Sequence, residues 1–118
     1  MKNVLVILAT YNGEKFNEKQ LNSIVSQEKV KKSIVIFDDN STDNTIEISQ
    51  NFLNKQKLID YKIIKRECRT GNAANNFMMA LSELLTGKTL NIKDFDYFTP
   101  SDQDYVWEPD KLNYAVKN

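Results

Sequence analysis

Two short apolar runs restrict this chain more than any other feature: Val-Leu-Val-Ile-Leu-Ala at residues 4–9 and Ser-Ile-Val-Ile-Phe at residues 33–37. Neither alternates polar with apolar positions, so each reads as a strand covered on both faces, which is the pattern of a parallel sheet flanked by helices. The segments between them carry the helical period. A helix is predicted over residues 16–27 with Leu21, Ile24 and Val25 on one face, and a second over 44–54 with Ile46, Phe52 and Leu53 apolar. A third strand is predicted at 61–65 and a fourth at 95–99. Between them, residues 73–85 give the widest apolar stripe, with Ala74, Phe77, Met78, Leu81, Leu84 and Leu85, and the Met78–Met79 pair reads as core. A last helix begins at Glu108-Pro109, where proline suits the first turn, and turns Leu112, Ala115 and Val116 inward. Strand–helix alternation of this kind predicts an α/β fold, an open and mostly parallel sheet with right-handed crossovers and helices on its faces.

Composition then removes several function classes. At 118 residues the chain is one domain by length, residues 1–118, and 41% hydrophobic content argues against disorder. Sixteen basic residues balance sixteen acidic ones, so the basic footprint of a nucleic-acid binder is absent. There is no histidine, which excludes a Ser-His-Asp triad or a His-ligated zinc within these residues. Cys68 has no partner for an internal disulfide, and the apolar run at 4–9 is too short for a membrane span or a signal peptide. A soluble cytoplasmic domain is the expectation.

In open parallel sheets, ligands bind outside the carboxyl ends of the strands. Tyr11, Asp38, Asp39, Asp102 and Asp104 all fall just after predicted strands, and so are expected to converge on one edge of the sheet. Asp102-Gln103-Asp104 sets two carboxylates one residue apart. Such a pair can face a hard divalent cation that keeps substrate phosphates as further ligands; the plain reading is a polar turn leading into a helix. For Asp38-Asp39, one reading is turn and cap chemistry. The other is a carboxylate accepting from a ribose hydroxyl or a base imide N–H, and Ser41, Thr42 and Asp43 leave the pair less needed as caps. Tyr11 in the Thr-Tyr-Asn-Gly turn could pack on a flat base while backbone groups at Ala9 and Thr10 approach its edge. Arg66 and Arg69 with Gly71 read as a flexible basic loop, solvated more readily than clamped on phosphate.

The stretches Val-Leu-Val-Ile-Leu-Ala-Thr-Tyr-Asn-Gly at 4–13, Ile-Phe-Asp-Asp-Asn-Ser-Thr-Asp-Asn-Thr at 36–45, residues 71–77, and Ser-Asp-Gln-Asp-Tyr-Val-Trp-Glu-Pro-Asp-Lys-Leu at 101–112 together resemble the family 2 glycosyltransferases, enzymes of the GT-A fold, over nearly the whole chain. The resemblance implies a Rossmann-like nucleotide-binding half in which Ala9, Thr10, Tyr11, Asp38, Asp39, Arg69, Gly71, Asp102 and Gln103 bind the nucleotide. Asp102 and Asp104 would hold Mn2+ or Mg2+, with Asp104 the foremost ligand. It implies a UDP- or dTDP-sugar donor, with wording most similar to the rhamnosyltransferases, and inverting transfer to the hydroxyl of a glycan or lipid-linked acceptor. Tyr105 departs from relatives that carry another aspartate there. Family members also run well beyond this length. The expectation is therefore a donor-binding half with its catalytic base beyond Asn118, self-association through the surface the other half would cover, and a place at the inner face of the membrane in the longer protein.

Three other readings share parts of this pattern. A dinucleotide-binding domain needs a G-x-G-x-x-G turn, and residues 10–15 hold one glycine. A phospho-receiver domain needs an aspartate after the third strand, where Arg66 stands. A non-catalytic nucleotide-sugar-binding remnant shares every donor-site feature.

Overall fold

The computed structural model describes residues 2–87 and 94–101. Within them the elements run β1 (Lys2–Thr10), α1 (Asn17–Val25), β2 (Val30–Asp38), α2 (Thr45–Asn54), β3 (Asp60–Lys65), α3 (Ala73–Leu85) and β4 (Tyr97–Ser101). The helix expected from Glu108 and the Asp102-Gln103-Asp104 triplet lie outside the described residues.

The four strands form one parallel sheet in the order β3-β2-β1-β4. The chain steps outward from β1 through β2 to β3, then crosses back to add β4 on the far side of β1. That reversal beside β1 is the topological switch point, the place outside the carboxyl ends of the strands where sheets of this kind receive ligands. Side chains alternate across the sheet as the pleat requires. Val4, Val6, Leu8, Ile34 and Ile36 pack with Leu21, Ile24 and Leu53 under α1 and α2. Leu5, Ile7, Val35 and Phe37 pack with Ala80 and Leu84 of α3 on the other face. Residues 4–8 are each at most 1% exposed, and burial of such side chains contributes roughly 1.5–3 kcal/mol apiece before entropy is charged. The continuous apolar run predicted this two-sided burial correctly.

Differences from the sequence reading have local causes. β1 and β2 extend into polar residues at both ends, since Lys2, Asn3 and Thr10 pair with Val30, Lys31 and Asp38 through the main chain whatever their side chains. β4 lies two residues later than expected. Asp94 and Asp96 instead bind Asn3: its side-chain amide donates to the Asp94 carbonyl, its N–H donates to the Asp96 carboxylate, and its carbonyl accepts Asp96 N–H. Pro100 falls inside β4, which pairs on the described side with β1 alone; proline is tolerated where its missing N–H faces away from a ladder. On α3 the buried stripe is narrower than predicted. Asn76, Ala80 and Leu84 are buried, whereas Ala74 is exposed and Met78, Met79 and Leu85 are 62%, 48% and 69% exposed, so the methionine pair is not core. On α2 the buried positions are Thr45, Ser49 and Leu53, because this helix meets α1 along a polar seam in which the Asn17 amide donates to the Thr45 carbonyl and the Ser49 hydroxyl.

Candidate functional site

The turn after β1 and the loop after β2 are stitched to each other. Asn12 takes a left-handed backbone at φ 47°, a conformation asparagine tolerates, and its side-chain oxygen accepts from Thr42 N–H at 2.8 Å. In return Ser41 Oγ accepts Asn12 N–H, Thr45 Oγ1 accepts Gly13 N–H, and Glu14 and Asp43 exchange bonds with the main chains of Asn44 and Glu14. Asp43 also accepts from Thr45 Oγ1 at 2.5 Å and Thr45 N–H at 3.0 Å, supplying the cap that Asn44 does not. Burial pushes the Asp43 carboxyl up, but the bonds from Thr45 and from Glu14 N–H together hold it below the usual 3.8. These exchanges fix two loops that would otherwise be free at the strand ends.

The two aspartates of the pair have different employment. Asp38, the last residue of β2, is fully buried; Oδ1 accepts from Thr10 Oγ1 at 2.6 Å and Ser41 Oγ at 2.7 Å, and Oδ2 from Ser41 N–H at 2.8 Å. Its carboxylate closes the loop, which corrects the expectation that neighbouring cap residues relieve it of a structural role. Thr10 takes part in the same closure, its hydroxyl donating to Asp38 and its carbonyl accepting Asp39 N–H at 2.8 Å.

Asp39 is also buried, but it is bound to the loop after β3 rather than to its own loop. Oδ1 accepts Thr70 N–H at 2.7 Å, Oδ2 accepts Thr70 Oγ1 at 3.0 Å, and Arg69 Nε lies 3.9 Å from Oδ2. The Arg69 guanidinium sits 3.7 Å from the centroid of the Tyr11 ring, within cation–π range. Tyr11, Asp39, Arg69 and Thr70 thus form one cluster from three different loops: a flat ring, a held carboxylate and a half-exposed cation. Gly71 follows at φ +106°, a backbone that side chains rarely adopt, and lets the chain turn into α3, which Asn72 caps by accepting Asn75 N–H at 2.8 Å. Thr70 escaped the sequence reading because a lone threonine in a loop carries no signal.

Arg66 does not belong to this cluster. It is 9% exposed, binds Glu83 at 2.6 Å and Asn76 Oδ1 at 2.7 Å, and lies over Phe37. Asn76 in turn donates to the Phe37 carbonyl at 2.7 Å. The flexible solvated loop expected for Arg66 is instead a packed network joining β2, β3 and α3, since a guanidinium whose three nitrogens each find an acceptor can be buried.

The last described residue, Ser101, ends β4 beside Leu8 of β1, and its hydroxyl accepts from the Gln20 amide at 2.9 Å. β4 therefore ends at the edge that carries Tyr11 and Asp39, and Asp102 follows it outside the described residues. Gln103 and Asp104 lie outside the described residues, and among the described ones no three acidic or cysteine side chains gather as a metal cluster. Concavities of about 590 Å³ and 230 Å³ open among residues at the starts of β2 and β3, the first lined by Val25, Lys32, Leu58 and Ile59; neither touches the strand-end cluster.

An open four-stranded parallel sheet with its switch point beside β1 and helices on both faces is the architecture of the GT-A fold. Residues 5–118 match the family described as Glycosyl transferase family 2, and the chain belongs to that family. It is similar to the dTDP-rhamnosyl transferase RfbG of Shigella flexneri, 39% identical over 110 residues that cover 92% of this chain and 35% of that protein. It is also similar to the poly(ribitol-phosphate) beta-N-acetylglucosaminyltransferase TarS of Staphylococcus aureus, 33% identical over 94 residues, 78% of this chain and 16% of that one. Among solved structures, S. aureus TarS 1–349 in complex with UDP superposes with a TM-score of 0.75 at 28% identity, over 99% of this chain and 31% of that one. The mannosyltransferase PcManGT from Pyrobaculum calidifontis, in complex with GDP-Man and Mn2+, gives the same TM-score at 24% identity, a likeness of fold alone. The chain thus spans about a third or less of the length of these relatives.

Proposed function

We propose that these residues form the donor-binding part of an inverting glycosyltransferase that uses a UDP- or dTDP-sugar. The observation that carries this reading is the Tyr11–Asp39–Arg69 cluster at the switch-point edge. In it the pyrimidine packs on Tyr11 beside Ala9, and Asp39 accepts its imide N–H, a donor that cytosine lacks. Arg69 and the Gly71 turn flank the nucleoside and offer positive charge toward the diphosphate. Asp102 and Asp104, following β4, would hold Mn2+ or Mg2+ with Gln103 beside the donor. Oxygen ligands one residue apart suit such a cation, which supplies Lewis-acid stabilisation of the departing diphosphate. The acceptor, a glycan or a lipid-linked one, and the base that deprotonates its hydroxyl fall to parts of the enzyme outside this donor site.

The likeness to a dTDP-rhamnosyl transferase supports a dTDP-sugar, and the UDP complex of TarS supports a pyrimidine nucleotide. The balanced charge supports a protein with no nucleic-acid partner, and no helix among the described residues is long and apolar enough to cross a membrane. We place the protein in the cytoplasm, at the inner face of the membrane where a lipid-linked acceptor is met. Exposed Met78, Leu85, Tyr97 and Phe98 support self-association of the isolated chain, which sedimentation velocity over a concentration series would register. A thermal-shift panel of UDP-, dTDP- and GDP-sugars, with and without Mn2+, tests the donor reading. Stabilisation by the two pyrimidine classes is expected, and stabilisation by GDP-sugars alone would refute it.

A further inference from the structure

We propose that Thr70 is a specificity-determining positioning residue, which sets the direction in which Asp39 accepts a hydrogen bond from the base. The proposal rests on the reading of Asp39 given above. An aspartate carboxylate rotates broadly about its last torsion and has about four lone-pair sites to offer. Here that freedom is removed by one residue acting at both oxygens: Thr70 N–H donates to Oδ1 at 2.7 Å and Thr70 Oγ1 to Oδ2 at 3.0 Å. The main chain is fixed as well, because Asp39 N–H donates to the Thr10 carbonyl at 2.8 Å. With the carboxylate plane held, the lone pairs left over on the two oxygens have fixed directions. A pyrimidine with an imide N–H meets them, whereas cytosine sets a lone pair of its own against them.

Thr70 is itself anchored to do this. Its carbonyl accepts the Asn75 side-chain amide at 3.1 Å, so the first turn of α3 holds the residue in place. Its hydroxyl has one proton and two acceptors in reach, Asp39 Oδ2 at 3.0 Å and the Asn72 carbonyl at 3.2 Å. The nearer acceptor is also the charged one, and charge-assisted bonds are the stronger kind. Thr70 also directly follows Arg69, whose guanidinium covers the Tyr11 ring, so the same anchor sets the flat wall of the slot and its polar edge.

The test is competition calorimetry on the full 118-residue chain with UDP and CDP in the presence of Mg2+, comparing wild type with Thr70→Val, Thr70→Ser and Asp39→Asn. Valine keeps the shape and the N–H bond and removes only the hydroxyl. The expected result is a fall of about tenfold in the UDP-over-CDP preference for Thr70→Val, the worth of one bond to a charged group, with the preference kept in Thr70→Ser. A structural role alone would weaken both nucleotides together and leave the ratio unmoved. Thr70→Val retaining the wild-type ratio, while Asp39→Asn loses it, overturns the role of Thr70 and leaves Asp39 standing. No preference in wild type, or one that survives Asp39→Asn, overturns the reading of Asp39 and the role of Thr70 with it.

Discussion

Replacing Asp38 by alanine should damage the fold rather than the ligand site. Three donors converge on this fully buried carboxylate, at 2.6, 2.7 and 2.8 Å. Two are hydroxyls, which can rotate toward other acceptors. The third, Ser41 N–H, is fixed by the chain and is left unpaired, at roughly 1–3 kcal/mol. Adding the weakened hydroxyl bonds gives a total of about 3–4 kcal/mol, less than the sum of three independent bonds because the three share one acceptor. A domain has about 5–15 kcal/mol in all, so this is a large share of the total. At this chain length each kcal/mol moves the midpoint by roughly 3–6 °C, so Asp38→Ala should melt about 10–20 °C below wild type. Thermal unfolding followed by far-ultraviolet circular dichroism, with urea titration alongside, measures it. Asp39→Ala is the contrast: Asp39 is buried too, but both its donors belong to the partly exposed Thr70, where water can replace the lost acceptor, so it should cost less than half as much. An Asp38→Ala midpoint within about 2 °C of wild type would show that the carboxylate is not what closes the loop.

Nucleoside diphosphate binding should strengthen with Mn2+ and lose that dependence in Asp104→Asn; equal affinity in metal and in chelator, measured by calorimetry, would sink the metal assignment. Arg66→Met should cost about 3 kcal/mol in urea unfolding, because the ends of Asn76 and Glu83 lose a shared partner, and Arg66→Lys should not restore it, since one ammonium cannot reproduce the guanidinium fork. Asp43 has its folded pKa below the usual 3.8, so its share of stability is complete above that value and fades as pH falls through the lower folded one. Asp43→Asn should therefore be less stable near neutrality and lose less further stability on acidification; parallel melting curves against pH would contradict this.

The order and kind of every described element were legible in the sequence, and the reason is physical. A parallel strand buried on both faces needs an unbroken apolar run, so 4–9 and 33–37 could be little else, and the helical segments had to lie between them. Faces were less legible. Periodicity marks which side chains are apolar, not which meet the sheet, and Met78 and Leu85 lie at the margins of a stripe whose centre is Ala80 and Leu84. Thr45 and Ser49 were missed as buried positions because their burial depends on Asn17 of another helix. At the site, strand ends placed Tyr11 and Asp39 correctly at one edge. What separates Asp38 from Asp39 is one residue of pleat, which turns the first carboxylate to Thr10 and Ser41 and the second to Thr70. That parity depends on where β2 ends, and the sequence put the end one residue early. The division between Arg66 and Arg69 is of the same kind: Arg66 is fixed by Asn76 and Glu83 on α3, ten and seventeen positions further on.

The central claim is that these residues bind a pyrimidine nucleoside diphosphate at the carboxyl ends of β1 and β2. Amide chemical-shift mapping tests it most directly: the 15N-labelled chain titrated with UDP or dTDP, with Mg2+ as the diamagnetic cation. The account predicts saturable shifts concentrated at Tyr11, Asp39, Thr70 and Gly71, with the lining of the opposite cavity at Val25, Leu58 and Ile59 unmoved. Shifts confined to that cavity, or none at millimolar nucleotide, would contradict it.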